Sequence, residues 1–486
     1  MPRHRYVVSS IFTLLASTMA TPAAGQAFDA KVNGNPTSFN NQFGREIDID
    51  GSFMITGATG PNEFTGSFSG AAFIHQRLGP GDWVQEAHLT QPTPAPWDFF
   101  GWSVDLDGEV AIVGAPKRDG CGVGENCNTG AAYVFRRDQT GSWSLEQTLT
   151  ASDPASGDEF GFDVAVEGEL IIVSAPFDDD NGSTSGSAYV FRRDGGGVWA
   201  ERAKIITSDG AVNDFFGQSI AISNGELAVG ASGESGAFGA TGAVYTFQDQ
   251  GSDSWIETDK LVADDAFQDD QLGFDVDFDG DLIVAGAPLS DSSCQGLLCN
   301  GGAAYVFARD EQGDWSQEMR IFPDDVANSD FFGFAVGISG ETVIASSVRE
   351  DDEGNGAGAV YIFKRTAPGV WSELIKLTAD DGQAGDELGY SAAIDGVIAV
   401  VGALRDDVAC PGNPNCDSGS AYVWSLRQLG DAAPGDLDFN GAVNGADLAN
   451  LISVWGTNGM GTGADINGDG VVNGADLATL LGNWTG

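Results

Sequence analysis

With 71 acidic against 22 basic residues, the 486-residue chain carries a formal charge of −49. So acidic a chain is not built to hold nucleic acid or an anionic membrane surface. Its 69 glycines recur at fixed positions, which fits tight β turns rather than disorder, and its length allows a large core plus a second small domain.

Residues 1–25 read as a secretory signal: Arg3, His4 and Arg5 open it, Tyr6–Ala20 is apolar, and Ala23-Ala24-Gly25 suits cleavage. The apolar run is too short and interrupted to span a membrane, and no other segment approaches that length. The expectation is an exported bacterial protein, soluble once mature, with no membrane span.

From residue 26 to 426 one phrase returns seven times. Its marker glycine falls at Gly44, Gly101, Gly161, Gly217, Gly273, Gly333 and Gly389, at spacings of 57, 60, 56, 56, 60 and 56 residues. A fixed period of this size means a propeller or solenoid. Each unit predicts four short strands. The first alternates, as in Ser103–Leu106 and Ser219–Ile222. A hairpin signal follows in every unit (Asp50-Gly51, Asp107-Gly108, Glu167-Gly168, Asn224-Gly225, Asp279-Gly280, Ser339-Gly340, Asp395-Gly396), and it predicts type I′ turns with glycine second. The second strand, as in Leu170–Val173, is apolar on both faces and must be covered on both. The third is Ala131–Phe135 or its equivalent. The fourth carries Trp83, Trp143, Trp199, Trp255, Trp315 or Trp371. Six such tryptophans serve seven units, and Ala27–Val32 resembles the end of a fourth strand. The N-terminal strand is therefore expected to complete the last blade and close the ring.

The succession F-G-x-S-V, I-V-G-A-P and G-x-A-Y-V-F is similar to FG-GAP repeats. The lead-in Asp381–Gly389 resembles the D-G-x-x-x-D-x-F-G of the bacterial branch. Unit 1 departs from it (Thr56-Gly57-Ala58-Thr59), as do unit 4 (Gly230-Ala231-Ser232) and unit 6 (Ala345-Ser346-Ser347). The resemblance implies a seven-bladed β-propeller like the head of integrin α-subunits. The fold class expected is mainly β, with four-stranded blades.

All six cysteines fall between the second and third strands of their units, at 121/127, 294/299 and 410/416. Six cysteines allow fifteen pairings. The close spacing favours the local pairs Cys121–Cys127, Cys294–Cys299 and Cys410–Cys416, which suits an exported protein.

After Trp424, residues 427–435 read as a linker and 436–486 as a second domain. Asp436, Asp438, Asn440, Asn444 and Asp447 stand at positions 1, 3, 5, 9 and 12 of a calcium loop, with Gly441 at 6 and the Ala442 carbonyl at 7. Twenty-nine residues on, Asp465, Asn467, Asp469, Val471, Asn473 and Asp476 repeat the pattern. Position 12 is Asp rather than Glu, a shorter reach. Each loop runs into a short apolar helix, over 448–455 and 477–484. The pair resembles a type I dockerin, a small α-helical domain of paired EF-hand-like loops. That implies two Ca²⁺ ions, folding coupled to metal, and a cohesin-like or cell-surface partner. The positions that often read the partner are here Gly445-Ala446 and Gly474-Ala475, so partner identity does not carry over.

No catalytic constellation emerges: no G-x-S-x-G elbow, P-loop or zinc motif. His75 and His88 are expected to be solvated. The repeated Asp158, Asp214, Asp270, Asp330 and Asp386 read as turn devices, with a ring of calcium sites as the other reading. Asp178–Asp180 and Asp351–Glu353 are further calcium candidates. The tryptophan set reads as outer-strand packing rather than a sugar-stacking surface. The leading expectation is a secreted, non-catalytic binding, adhesion or scaffold protein whose propeller contacts a glycan or protein. The alternatives are a polysaccharide-degrading hydrolase or lyase, and a structural envelope protein.

Overall fold

A computed structural model describes residues 28–35, 40–61, 68–120, 127–236, 239–291, 299–407, 416–426 and a few positions beyond 447, among them 472–482. Seven four-stranded antiparallel sheets form the blades of a propeller. Blade 2 is typical, with strands Val104–Asp107, Val110–Ala115, Ala131–Arg137 and Trp143–Leu149 in sheet order. The first strands of all seven blades surround one central channel. In blade 7 the outermost strand is Ala30–Val32, which pairs with Ser420–Ser425 through Ala30↔Val423 and Val32↔Ala421. The predicted closure by the N-terminal strand is what the structure shows.

The second strands are buried along their length in blades 2, 3, 5, 6 and 7. The core is a series of layers between neighbours. Ile112 and Val134 of blade 2, for example, pack with Val164, Tyr189 and Trp199 of blade 3. A strand apolar on both faces is stable only when sandwiched in this way.

The repeated glycines have a steric reason. The marker glycines lie in the left-handed region, with Gly101 at φ 85° and Gly161 at φ 88°. A Cβ on Gly114, the central glycine of the second-strand motif, would meet the Gly161 carbonyl oxygen of the next blade at 2.2 Å. One glycine turns the chain; the other admits that turn. The residue ahead of Gly161, Phe160, lies edge-on to Tyr189 and Phe191 of its own blade at 5.3 and 6.0 Å. Its backbone also bridges to Gly130 of blade 2. Unit 1, degenerate in sequence, keeps the contact: a Cβ on Gly57 would meet the Gly101 carbonyl oxygen at 2.1 Å.

The hairpins differ from expectation in six blades. Asp107 pairs with Val110, so the two loop residues are Gly108 and Glu109. Gly108 has φ 57°, and Glu109 is not left-handed. Glycine first with only that φ positive is the type II′ pattern. Only blade 4 follows type I′, with Asn224 at φ 54° and Gly225 at φ 74°. In the other six the residue before the glycine is still in the strand, and its carboxylate or hydroxyl accepts a backbone N–H of the neighbouring blade rather than serving the turn.

Candidate functional site

The residue after each marker glycine projects into one mouth of the channel. These are Arg45, Trp102, Phe162, Gln218, Phe274, Phe334 and Tyr390, around a cavity of about 320 Å³. Five of the seven are aromatic. The Arg45 guanidinium lies 3.9 Å over the Trp102 ring and 5.0 Å from that of Tyr390, a cation–π arrangement. Phe334 touches Phe274 and Tyr390 at ring separations of 5.1 and 5.3 Å. On the other side the rings continue outward over the face: Trp102 to Phe162 at 5.6 Å, Phe162 to Phe177 at 5.8 Å, and Phe177 to Phe215 at 5.8 Å. From Trp102 the chain also runs through Phe99 and Phe68 to Trp97, which is 57% exposed. Sequence reasoning missed this ring. Its signal was present, an aromatic directly after the marker glycine in five units.

Below the rings the channel is acidic. Glu46, Asp163 and Asp275 line the mouth, and Asp48, Asp105 and Asp277 lie deeper. Most of these carboxylates accept a backbone N–H from an adjoining blade: Asp48 from Leu106 at 3.0 Å, Asp163 from Ile220 at 2.7 Å, Asp275 from Val336 at 2.7 Å and Asp277 from Ile338 at 2.7 Å. They staple the inner strands together. Crowding deep in the ring costs them their ease of ionisation. Burial, then neighbouring acids, hold Glu46 well above the ordinary carboxylate range. Burial pushes Asp163 to about 7 and Asp275 to about 6. Asp48 and Asp105 share a hydrogen bond, and burial raises both.

The post-strand acids proposed for calcium already face a cation of the chain. Lys204 Nζ lies 2.8 Å from Asp153, 2.7 Å from Asp178 and 2.6 Å from Asp180. Lys376 does the same with Asp325, Glu350 and Asp352 at 2.8, 2.9 and 2.7 Å. Lys260 pairs with Asp209 and Glu234, and Lys31 with Asp381 and Asp406. Arg320 pairs with Asp265 in blade 5. In each of the four lysine clusters a tyrosine ring lies under the ammonium, at 4.8 to 5.4 Å. Burial alone would lower the Lys204 pKa, but its three carboxylates outweigh burial and raise it. Asp179 and Asp351 instead accept backbone N–H groups of their own loops, from Thr184 and Gly356, each at 2.7 Å.

The repeated lead-in aspartates are turn devices, as expected. Asp158, Asp214, Asp270, Asp330 and Asp386 each accept the N–H three residues back, at 2.6 to 2.8 Å. The outer tryptophans pack between blades. Trp143, Trp199 and Trp371 donate Nε1–H to Glu86, Glu146 and Glu318 of the preceding blade, at 3.0, 3.1 and 2.8 Å. The same glutamates hold Arg137, Arg193 and Arg365. The histidine expectation fails at His75, which is 2% exposed, edge-on to Phe43 at 6.0 Å, and held near a pKa of 4 by burial. His88 stacks on Phe73 at 4.7 Å. Both sit on strands that close the first blade against the seventh, so the imidazoles serve as packing rings.

Cys127, Cys299 and Cys416 are buried; Cys121, Cys294 and Cys410 lie outside the described residues. So do the first calcium loop, Gly445-Ala446, and the second loop through Val471. Asn473 is described, and its carbonyl accepts the Leu477 N–H at 3.2 Å as helix α1 (Gly474–Gly482) begins. The backbones of Gly474, Ala475 and Asp476 lie in the first turn of that helix. Among the described residues no helix is long and apolar enough to cross a membrane.

Comparison with known proteins gives two family matches. The FG-GAP repeat matches residues 83–135, 143–191, 199–247, 255–307, 315–363 and 371–424. Each segment runs from an outer-strand tryptophan to the third strand of the next blade, and together they cover well over half of the chain. The dockerin type I domain matches residues 434–482. No curated protein matches the chain. Among solved structures, a protein from Lactobacillus plantarum is similar at 12% identity, covering 75% of this chain and 89% of that one, with a TM-score of 0.42.

Proposed function

Since the chain belongs to the FG-GAP repeat family and carries a type I dockerin domain, we propose that it is an exported binding protein, tethered through its C-terminal domain and presenting the propeller to a ligand. The observation that carries this reading is the dockerin match over the twin loops. In each loop the donors the sequence offers would be side-chain oxygens of Asp and Asn plus one backbone carbonyl, a set suited to a hard cation such as Ca²⁺. Asp436, Asp438, Asn440, Asn444 and Asp447 would hold one ion with the Ala442 carbonyl. Asp465, Asn467, Asp469, Asn473 and Asp476 would hold the second with that of Val471. The ions would fix the loop geometry and set α1 against its partner helix. Gly445-Ala446 and Gly474-Ala475 then stand where a cohesin-like or cell-surface partner would be read.

In this proposal residues 1–25 are removed on export, 26–426 form the propeller, 427–435 link, and 436–486 dock. Three local disulfides close the long loops of blades 2, 5 and 7. The test is capture of the full mature chain by an immobilised cohesin panel with calcium and with excess chelator. Calcium-dependent capture is expected, and its loss in the Asp436→Ala/Asp465→Ala double variant. Failure to bind any cohesin with calcium present would overturn the tethering role.

A second reading, polysaccharide cleavage, is favoured by Asp163, a mouth carboxyl held near neutrality at about 7 beside other carboxylates. Release of reducing ends from a polysaccharide panel, abolished by Asp163→Asn, would establish it in place of a purely binding role.

A further inference from the structure

The aromatic mouth is more than the end of a channel. We propose that it binds a neutral glycan chain, with one sugar unit seated in the cavity and the following units lying along the arc of rings across blades 1 to 4. This rests on the reading of the propeller as a ligand-presenting head, and it names the ligand class and the place.

Three observations lead here. The cavity, about 320 Å³, is at the small end of ligand pockets (roughly 300–1,000 Å³), so it takes one compact ring rather than a folded segment. Its walls are aromatic, while its floor and rim mix acceptors with donors: Glu46, Asp163 and Asp275 below, Arg45 and Gln218 at the edge. A sugar offers apolar C–H faces to rings and hydroxyls that both donate and accept, and so uses both kinds of surface at once.

The second observation separates a chain from a point ligand. A small cation would need only the cage where Arg45 already stacks on Trp102 and Tyr390. The rings do not stop there. They continue from Trp102 to Phe162, Phe177 and Phe215 in steps of 5.6 to 5.8 Å. In the other direction they reach Trp97, which is 57% exposed and stacks on Phe68 at 4.6 Å. A run of partly exposed rings leading out of a pocket suits a polymer of flat units.

The third is charge. The floor carboxylates already crowd one another, and the whole chain stands at −49. A uronate or sulfated chain would add repulsion at the seat, whereas a neutral chain gains hydrogen bonds there at no such cost.

The test uses the full mature chain with calcium in affinity electrophoresis through soluble β-glucan, xyloglucan and galactomannan, with polygalacturonate as the acidic counterpart. Retardation by at least one neutral polymer, and none by polygalacturonate, is expected. Trp102→Ala and the rim variant Trp97→Ala should each weaken it by about tenfold or less, the scale of one lost aromatic contact. Trp83→Ala, on an outer strand, should leave it unchanged. Trp97 is exposed enough that its loss does not threaten the fold, and thermal unfolding checks Trp102→Ala. Several outcomes would overturn the proposal: no retardation by any neutral polymer, full retardation of both variants, stronger retardation by polygalacturonate, or displacement by an arginine-rich peptide but not by oligosaccharide. Cohesin capture measured on the same samples keeps this failure distinct from failure of the tethering role.

Discussion

At the scale of single residues, backbone geometry and burial decide most outcomes. Gly101 combines φ 85° with a hypothetical Cβ only 2.2 Å from the Ala71 carbonyl oxygen. Gly101→Ala should therefore cost at least about 2–3 kcal/mol, from left-handed strain plus a backbone clash; urea unfolding of the pair measures it. An unchanged midpoint would show that the contact gives way cheaply. His75 makes a pH prediction. Burial lowers its pKa to about 4, against about 6.5 in an unfolded chain. The unfolded state thus binds the extra proton first, so the contribution is whole above pH 6.5 and lost as pH falls toward 4. Relative to His75→Gln, the parent should lose up to about 3 kcal/mol over that window. Parallel stability curves for the two would contradict this.

At the scale of the element, each blade is made of parts that answer a neighbour's needs. The lysine clusters illustrate it. Asp153 of one loop and Asp178 and Asp180 of another converge on Lys204 from the fourth strand, with Tyr189 beneath and donating to both Asp153 and Asp178. Removing the ammonium leaves acids with no cation. Lys204→Met should destabilise by about 1–2 kcal/mol, tempered because the group is partly exposed and screened. Differential scanning calorimetry with and without millimolar calcium would check it. Calcium should restore part of the loss if the cage has been freed, and an unshifted melting temperature would show the cluster to be idle.

The strand order, the presence of a hairpin in every unit, the closing N-terminal strand and the cap role of Asp158 and its equivalents were legible in the repeats. Local pattern and period determine them. The turn type was not, because the residue before each glycine looked like a turn residue while its side chain was in fact engaged with the next blade, as Asp107 is with Gly168 at 2.5 Å. Nor was the burial of His75, which depends on blade 7 closing over blade 1. The mouth escaped notice because its seven residues lie some 56 to 60 positions apart and differ in type. Only the ring brings Arg45, Trp102 and Tyr390 together.

At the scale of the whole molecule, closure organises everything else. The sheet of blade 7 is built from both ends of the propeller, so Ala30–Val32 and Ser420–Ser425 lock the ring. Around the axis the inner carboxylates staple blade to blade, while on the perimeter the Trp–Glu–Arg sets repeat the stapling further out. An acidic protein built this way uses its carboxylates as hydrogen-bond acceptors and lysine partners within the ring. In the proposed function calcium belongs to the C-terminal loops, where the sequence sets oxygen donors at metal-ligand spacing.

The most direct measurement is calcium stoichiometry of the full mature chain by isothermal titration calorimetry, repeated on the Asp436→Ala/Asp465→Ala double variant. The account predicts two ions per chain and none in the variant, with the propeller's melting temperature indifferent to chelator. Ions retained by the variant would place calcium in the blade loops and contradict the assignment of those acids to Lys31, Lys204, Lys260 and Lys376.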